Sequence, residues 1–223
     1  MKSANNLVFS LNVIMVVAIL SYPESFSVFK DLTSENQNIL QVCCTWGNVL
    51  DDGVLRFHTT NNDHFATDSI VKSVVKNSFD QWSSKLGKVK FLEVQNASSA
   101  DVLISFEDKG EKTVGQTTNV LNDKGFIKRV NIRISVNFNE VRIGEDTLNL
   151  VLTHEIGHAL GLGHSNFHDL MNPIVNYQNT DITNCEIDAV LLANNWKLVE
   201  NLQEPKKPEL PIEKTVDCGT DQK

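Results

Sequence analysis

Four residues whose types and spacing suit metal chemistry stand in one short run, His154-Glu155-Ile156-Gly157-His158-Ala159-Leu160-Gly161-Leu162-Gly163-His164-Ser165. On a helix, residues four apart lie about 40° apart around the axis and one turn along it. The imidazoles of His154 and His158 can therefore reach one ion. Glu155 lies about 100° further round, beside the metal rather than on it, where its carboxylate can take a proton from an attacking water. Gly161 follows, where a helix ending in the left-handed conformation favours glycine. The chain can then double back and deliver His164 as a third nitrogen ligand. Three protein ligands leave one tetrahedral position open, the mark of a catalytic rather than a structural zinc site. Such a set of fixed positions arises by chance in roughly one chain in 10⁵. The bland reading, surface histidines on an ordinary amphipathic helix, is therefore set aside.

These residues need a helix beneath them and a frame around it. Asp146 is expected to cap a helix over 147–160, the one that carries the first two histidines. A second helix should start at Asp68, because Ile70, Val71, Val74, Val75, Phe79 and Trp82 follow helical spacing, and Gly87 breaks it. Segments 54–60, 89–94 and 102–106 read as strands. Two more, 113–121 and 126–136, flank the turn Asn122-Asp123-Lys124-Gly125. Thr183 with Glu186 three residues on forms a capping box for a last helix over 186–194. Trp46 and Trp82 are expected in the core.

The 223 residues suffice for one domain with a tail at each end, and 41% hydrophobic residues suffice for a real core. Twenty Lys and Arg against 28 Asp and Glu give a formal charge of −8. That balance, without a basic cluster, argues against nucleic acid as a partner. Lys2 precedes a mostly apolar run over 7–20, suited to a secretory signal and short for a membrane span. The expected organisation is a signal peptide over 1–27, cut after Ser27, or an uncleaved anchor at the outer face of the cell membrane. An N-terminal segment over 28–45, a catalytic domain over 46–200 and a Pro- and charge-rich tail over 201–223 follow. Either N-terminal reading places the rest outside the cytoplasm, where thiols tend to be oxidised.

The extended motif, with Met171 downstream in Asp169-Leu170-Met171-Asn172-Pro173, resembles the metzincin metalloproteases, and Ser165 directly after the third histidine resembles their matrixin branch. Looser similarity runs through Phe79-Asp80-Gln81-Trp82, Phe91-Leu92-Glu93-Val94 and the segment 100–106. The resemblance implies an α+β fold, a metzincin (zincin-like) catalytic domain. A twisted, mixed sheet of about five strands packs on two long helices, with a small C-terminal subdomain after Gly161. It also implies one catalytic Zn²⁺ on His154, His158 and His164, with Glu155 as catalytic base and Met171 as the structural methionine turn. Pro173 and Gly115 would belong to the substrate pocket, and an edge strand near 115–120 would pair with a protein or peptide substrate. Asp188 resembles the acidic residue of the family's last helix. The chain departs from the family in having no histidine between Glu107 and Leu152 for a second zinc, and no propeptide cysteine switch. Val175 stands where the family has tyrosine, with Tyr177 two residues later. Nothing in the chain indicates calcium or an oligomeric state.

The expected activity is secreted, zinc-dependent hydrolysis of internal peptide bonds, without a covalent intermediate. The alternative is a non-catalytic secreted zinc-binding or adhesion module on a protease scaffold, and retention of Glu155 weighs against it. His58 and His64 read as solvated loop histidines, His168 as a cleft or surface residue, and Asn96-Ala97-Ser98 fits the glycosylation acceptor pattern. Adjacent Cys43 and Cys44 are expected not to pair with each other. One should bond Cys185 and the other Cys218.

Overall fold

The computed structural model describes residues 38–46, 53–60, 68–87, 89–108, 113–174, 177, 180–198 and 214–219. The expected signal segment over 1–27 and His64 lie outside the described residues. Among the described residues no helix is long and apolar enough to cross a membrane.

In order, the elements are β1 (Ile39–Val42), β2 (Val54–Thr60), α1 (Ser69–Leu86), β3 (Lys90–Glu93), β4 (Val102–Glu107), β5 (Gly115–Leu121), β6 (Ile127–Ser135), β7 (Asn137–Phe138), β8 (Val141–Arg142), α2 (Glu145–Ala159), β9 (Leu162–Ser165), α3 (Asn184–Leu198) and β10 (Lys214–Asp217). Five strands form one mixed sheet in the order β3-β2-β4-β6-β5. The pairs β2–β3, β2–β4 and β4–β6 are parallel, and β5 closes one edge antiparallel to β6. The sheet and helices are those expected of a metzincin catalytic domain.

Helix α1 follows its sequence closely. Asp68 caps it by accepting from the amide of Ile70, and Val71, Val74, Val75, Phe79 and Trp82 face the core. Ile70, in the first turn, is instead 38% exposed. Helix α2 is different: nearly every residue from Thr147 to Ala159 is buried. A helix covered all round cannot be placed by its amphipathic pattern. Its start also lies earlier than expected. Gly144 is the N-cap and its carbonyl accepts from Leu148 at 3.0 Å, so Asp146 sits inside the first turn rather than capping it. Glu145 and Asp146 there oppose the positive end of the helix dipole.

The helix α2 is seated by two indoles. Trp82 Nε1 donates to the carbonyl of Thr153 at 2.8 Å and Trp46 Nε1 to that of Ala159 at 2.8 Å. Both tryptophans are fully buried. Asn194, on α3, ties the last turn of α2 to the chain around Trp46: its Nδ2 donates to the carbonyl of Leu160, and its Oδ1 accepts from Thr45 and Trp46.

A second, three-stranded sheet has the order β10-β1-β9. It draws on the chain ahead of Trp46 and beyond Glu200, segments expected to flank the catalytic domain. The expected cysteine pairing is corrected here. Cys185 bonds Cys218, with Cα atoms 5.5 Å apart, and Cys43 bonds Cys44. Register explains the first pairing. The amide of Cys218 donates to the carbonyl of Asn38, whereas the amide of Cys43 donates to that of Gly161 at the other end of β1. Asn38 and Cys43 stand roughly 16 Å apart along an extended strand, beyond disulfide reach. The tail strand therefore folds back onto β1, and its bridge ties it to α3 rather than to Cys43 or Cys44.

Candidate metal centre

His154 and His158 project from one face of α2, and β9 brings His164 to them. The turn between helix and strand rests on Gly161, at φ +100°, where a Cβ would collide with the carbonyl oxygen of Cys44. Gly161 is thus required both by its conformation and by close approach. The ligand atoms of the three histidines all lie within 4.8 Å of one another. Their ring centroids are 4.7, 5.5 and 4.8 Å apart.

Backbone carbonyls fix two of the rings. His154 Nδ1 stands 2.6 Å from the carbonyl of Leu170, and His158 Nδ1 stands 2.8 Å from that of Leu162. A carbonyl accepts only, so each Nδ1 carries the hydrogen and each Nε2 presents a lone pair. The Nε2 atoms of His154, His158 and His164 are buried and have no partner. Burial holds His154 well below the usual range and depresses His158 to about 4 and His164 to about 3. All three are neutral at physiological pH, the state a metal requires. Three orphaned, neutral, converging nitrogens fit a zinc ion.

Glu155 is fully buried beside them. Thr117 on β5 donates its hydroxyl to Oε2 at 2.5 Å, whereas Oε1 has no partner. Burial pushes the carboxyl up to about 8, against the lowering effect of the Thr117 bond. A nearby cation would reverse that rise. Gly115 lies two residues before Thr117 on the same face of β5. A Cβ there would collide with Glu155 Oε1 and approach Val151 Cγ1 to 2.7 Å.

Met171 is fully buried beneath the histidines. A Cβ on Gly157 would run into its sulfur and come within 3.3 Å of Trp82 Cζ2. This explains why a glycine, a poor helix former, stands inside α2. The turn is held from both sides: the amide of Met171 donates to Glu186 Oε1 at 2.9 Å, and its carbonyl accepts from the amide of Ser165 at 3.1 Å. Glu186 Oε2 accepts from the amide and hydroxyl of Thr183, so the expected capping box is present. Asp169, which accepts from the hydroxyl of Ser165, is buried as well. Glu186, rather than the exposed Asp188, is the acidic residue that braces the site.

Pro173 is half-buried two residues after Met171, and Ile174 beyond it is 53% exposed. Tyr177 hydrogen-bonds Thr147 through their hydroxyls at 2.7 Å. His168 is exposed. His58 lies within β2 and contacts the carbonyl of Val94 through Nδ1 at 2.8 Å, rather than standing in a loop. It lines, with Phe57 and Phe79, a separate cavity of about 760 Å³ that contains none of His154, Glu155, His158 and His164. Asn96 is exposed. The residues that sequence reading missed are Thr117, Glu186 in its second role, and Asn194. For Glu186 the capping box was a usable signal; for Asn194 there was none.

A three-histidine centre on a helix and a following strand, beside a methionine turn, defines a class as well as a chemistry. The matrixin family profile matches residues 51–191, and the chain belongs to that family, one of zinc enzymes. Over 118 residues it is 34% identical to Metalloendoproteinase 1-MMP of Arabidopsis thaliana, covering 48% of this chain and 32% of that protein. The match thus spans about a third of the length of that relative.

Proposed function

We propose that this chain is a secreted zinc endopeptidase that hydrolyses internal peptide bonds, with Glu155 as general base. The observation that carries the reading is the set of three partnerless Nε2 atoms beside the partnerless Oε1 of Glu155. His154, His158 and His164 would hold one zinc ion. When bound, zinc supplies Lewis acidity, which lowers the pKa of water to about 7 and polarises a carbonyl. Oε1 of Glu155 is the free acceptor for the proton of the attacking water. The same carboxyl then gives that proton to the leaving amine. Burial of Glu155 excludes bulk water from the exchange. No serine or cysteine nucleophile is required.

Substrate placement rests on β5. Its only strand partner among the described residues is β6, so its outer edge can accept an extended peptide by β-augmentation. Gly115, at the start of that strand, keeps the floor beside Glu155 open. Pro173 would form part of the wall of the pocket for the residue after the scissile bond. Secretion is supported by the apolar run over 7–20 behind Lys2 and by four cysteines.

Incubating the zinc-loaded protein with unfolded casein, with and without chelator, tests the activity. Chelator-sensitive internal cleavage is expected. Intact casein after incubation with stoichiometrically loaded protein would overturn the endopeptidase reading.

A further inference from the structure

Threonine and valine have nearly the same shape, and a strand position facing a core is commonly filled by either. The difference is a hydroxyl, whose burial is unfavourable unless it finds a partner. Thr117 is 1% exposed, midway along the edge strand β5. Its hydroxyl donates 2.5 Å to Oε2 of Glu155 and lies 3.2 Å from the carbonyl oxygen of the same residue. Both acceptors belong to one side chain's residue, and one of them is the carboxylate itself.

We infer that Thr117 is a positioning residue for Glu155, which holds Oε2 so that Oε1 alone is presented to the attacking water. This rests on the reading of Glu155 as the general base. Two alternate positions of β5 act together on that carboxylate. Side chains two apart on a strand share a face, so Gly115 and Thr117 both meet Glu155. At Gly115 the missing Cβ leaves Oε1 its space. At Thr117 the hydroxyl fixes the other oxygen. A glutamate on a helix has three side-chain torsions, and its position between a glycine gap and a hydroxyl anchor selects one arrangement. The antiparallel pairing of β5 with β6, which sets Thr117 opposite Ile132 and Gly115 opposite Ile134, keeps both devices in register with the central sheet. The carboxylate is thus set by the same strand whose outer edge would bind the peptide.

The test compares Thr117→Val, which keeps shape and removes the donor, with Thr117→Ser, which keeps the donor. In casein-derived peptide cleavage, Thr117→Val should lose at least tenfold in kcat with KM changed by less than about threefold, whereas Thr117→Ser should stay within about threefold of wild type. Zinc content, by elemental analysis, should remain that of wild type in both. A second readout needs no activity: a double-mutant cycle of Thr117→Val and Glu155→Ala on the unfolding of zinc-free protein. The destabilisation caused by Thr117→Val should shrink at least threefold, as an equilibrium constant, when Glu155 is already Ala. The inference is overturned if Thr117→Val keeps more than half the wild-type kcat, if its loss lies in KM, if Thr117→Ser is no better, or if the cycle is additive. If wild-type protein binds zinc but cleaves no peptide, the activity reading fails by itself, and the cycle alone decides the contact between Thr117 and Glu155.

Discussion

The indole of Trp82 donates to the carbonyl of Thr153, the residue immediately before His154, at 2.8 Å. One helix thereby fixes the axial position of the other where the metal ligands begin. Replacing Trp82 with Phe leaves that carbonyl without its second partner and opens space beside Met171. The expected loss is about 1–3 kcal/mol, read as a fall in melting temperature of roughly 2–4 °C per kcal/mol. An unchanged melting curve would show that the contact contributes nothing.

Glu155→Gln should separate chemistry from metal binding. The three histidines stay in place, so zinc content should stay near one ion per chain, while the rate falls by at least about 10²–10⁴-fold. His158→Ala should lose both. Retention of more than about a tenth of the rate by Glu155→Gln would remove Glu155 from the role of base. Two tightly held zincs in wild-type protein, by the same metal analysis, would contradict the single-site reading.

The zinc-free protein should show a distinctive dependence of stability on pH. Burial raises Glu155 and Glu186 to about 8 and Asp169 to about 6, with the Asp169 charge adding to the shift on Glu186. Burial also lowers the three histidines. Between about pH 5 and 6 the unfolded chain protonates the histidines and the folded chain retains the carboxyl protons, so the effects offset each other. Above the ordinary histidine pKa of 6.5 only the carboxyl effect remains. The folded state then binds more protons, and stability should fall as pH rises toward 8. Thermal unfolding at stepped pH checks this, and Asp169→Asn should reduce the fall by removing a like charge beside Glu186. A rise from pH 6.5 to 8 would contradict the assignment.

The Cys185–Cys218 bridge closes a loop of sequence separation 33. The chain-entropy account gives it up to about 3–4 kcal/mol, less than a closure of more than a hundred residues would. The double variant Cys185→Ser with Cys218→Ser should unfold at lower denaturant with its slope little changed. Because β10 backs β1, and β1 pairs with β9, the variant should also release zinc to a chelator faster than wild type. Equal release rates would confine the bridge to a role in stability.

Much of this architecture could be read from local pattern. The helix with Val71, Val74, Phe79 and Trp82 on one face, its Asp68 cap and the histidine spacing in α2 all express rules that act within a few residues. What could not be read depends on distant segments meeting. Helix α2 is buried on all sides, so periodicity could not correct the expected cap at Asp146, which placed its start two residues late. The register of β10 on β1 decided the cysteine partners, and nothing in the spacing of four cysteines encodes that register. Thr117 reaches Glu155 because an edge strand crosses a helix far along the chain. Its sequence neighbours give no sign of the meeting.

The sheet β10-β1-β9 also sets an order of events. A ribosome that has completed α2 has made His154 and His158 and the whole five-stranded sheet beneath them. His164 follows soon after on β9, yet the strand and disulfide that back its neighbour β1 come from Lys214 onward. At about 5–20 residues per second, several seconds separate the ligand from its support. During that interval two histidines are seated and the third lies on a strand whose partner is not yet backed. If the centre holds zinc as proposed, chains halted before Cys218 should release it faster than the finished, oxidised chain.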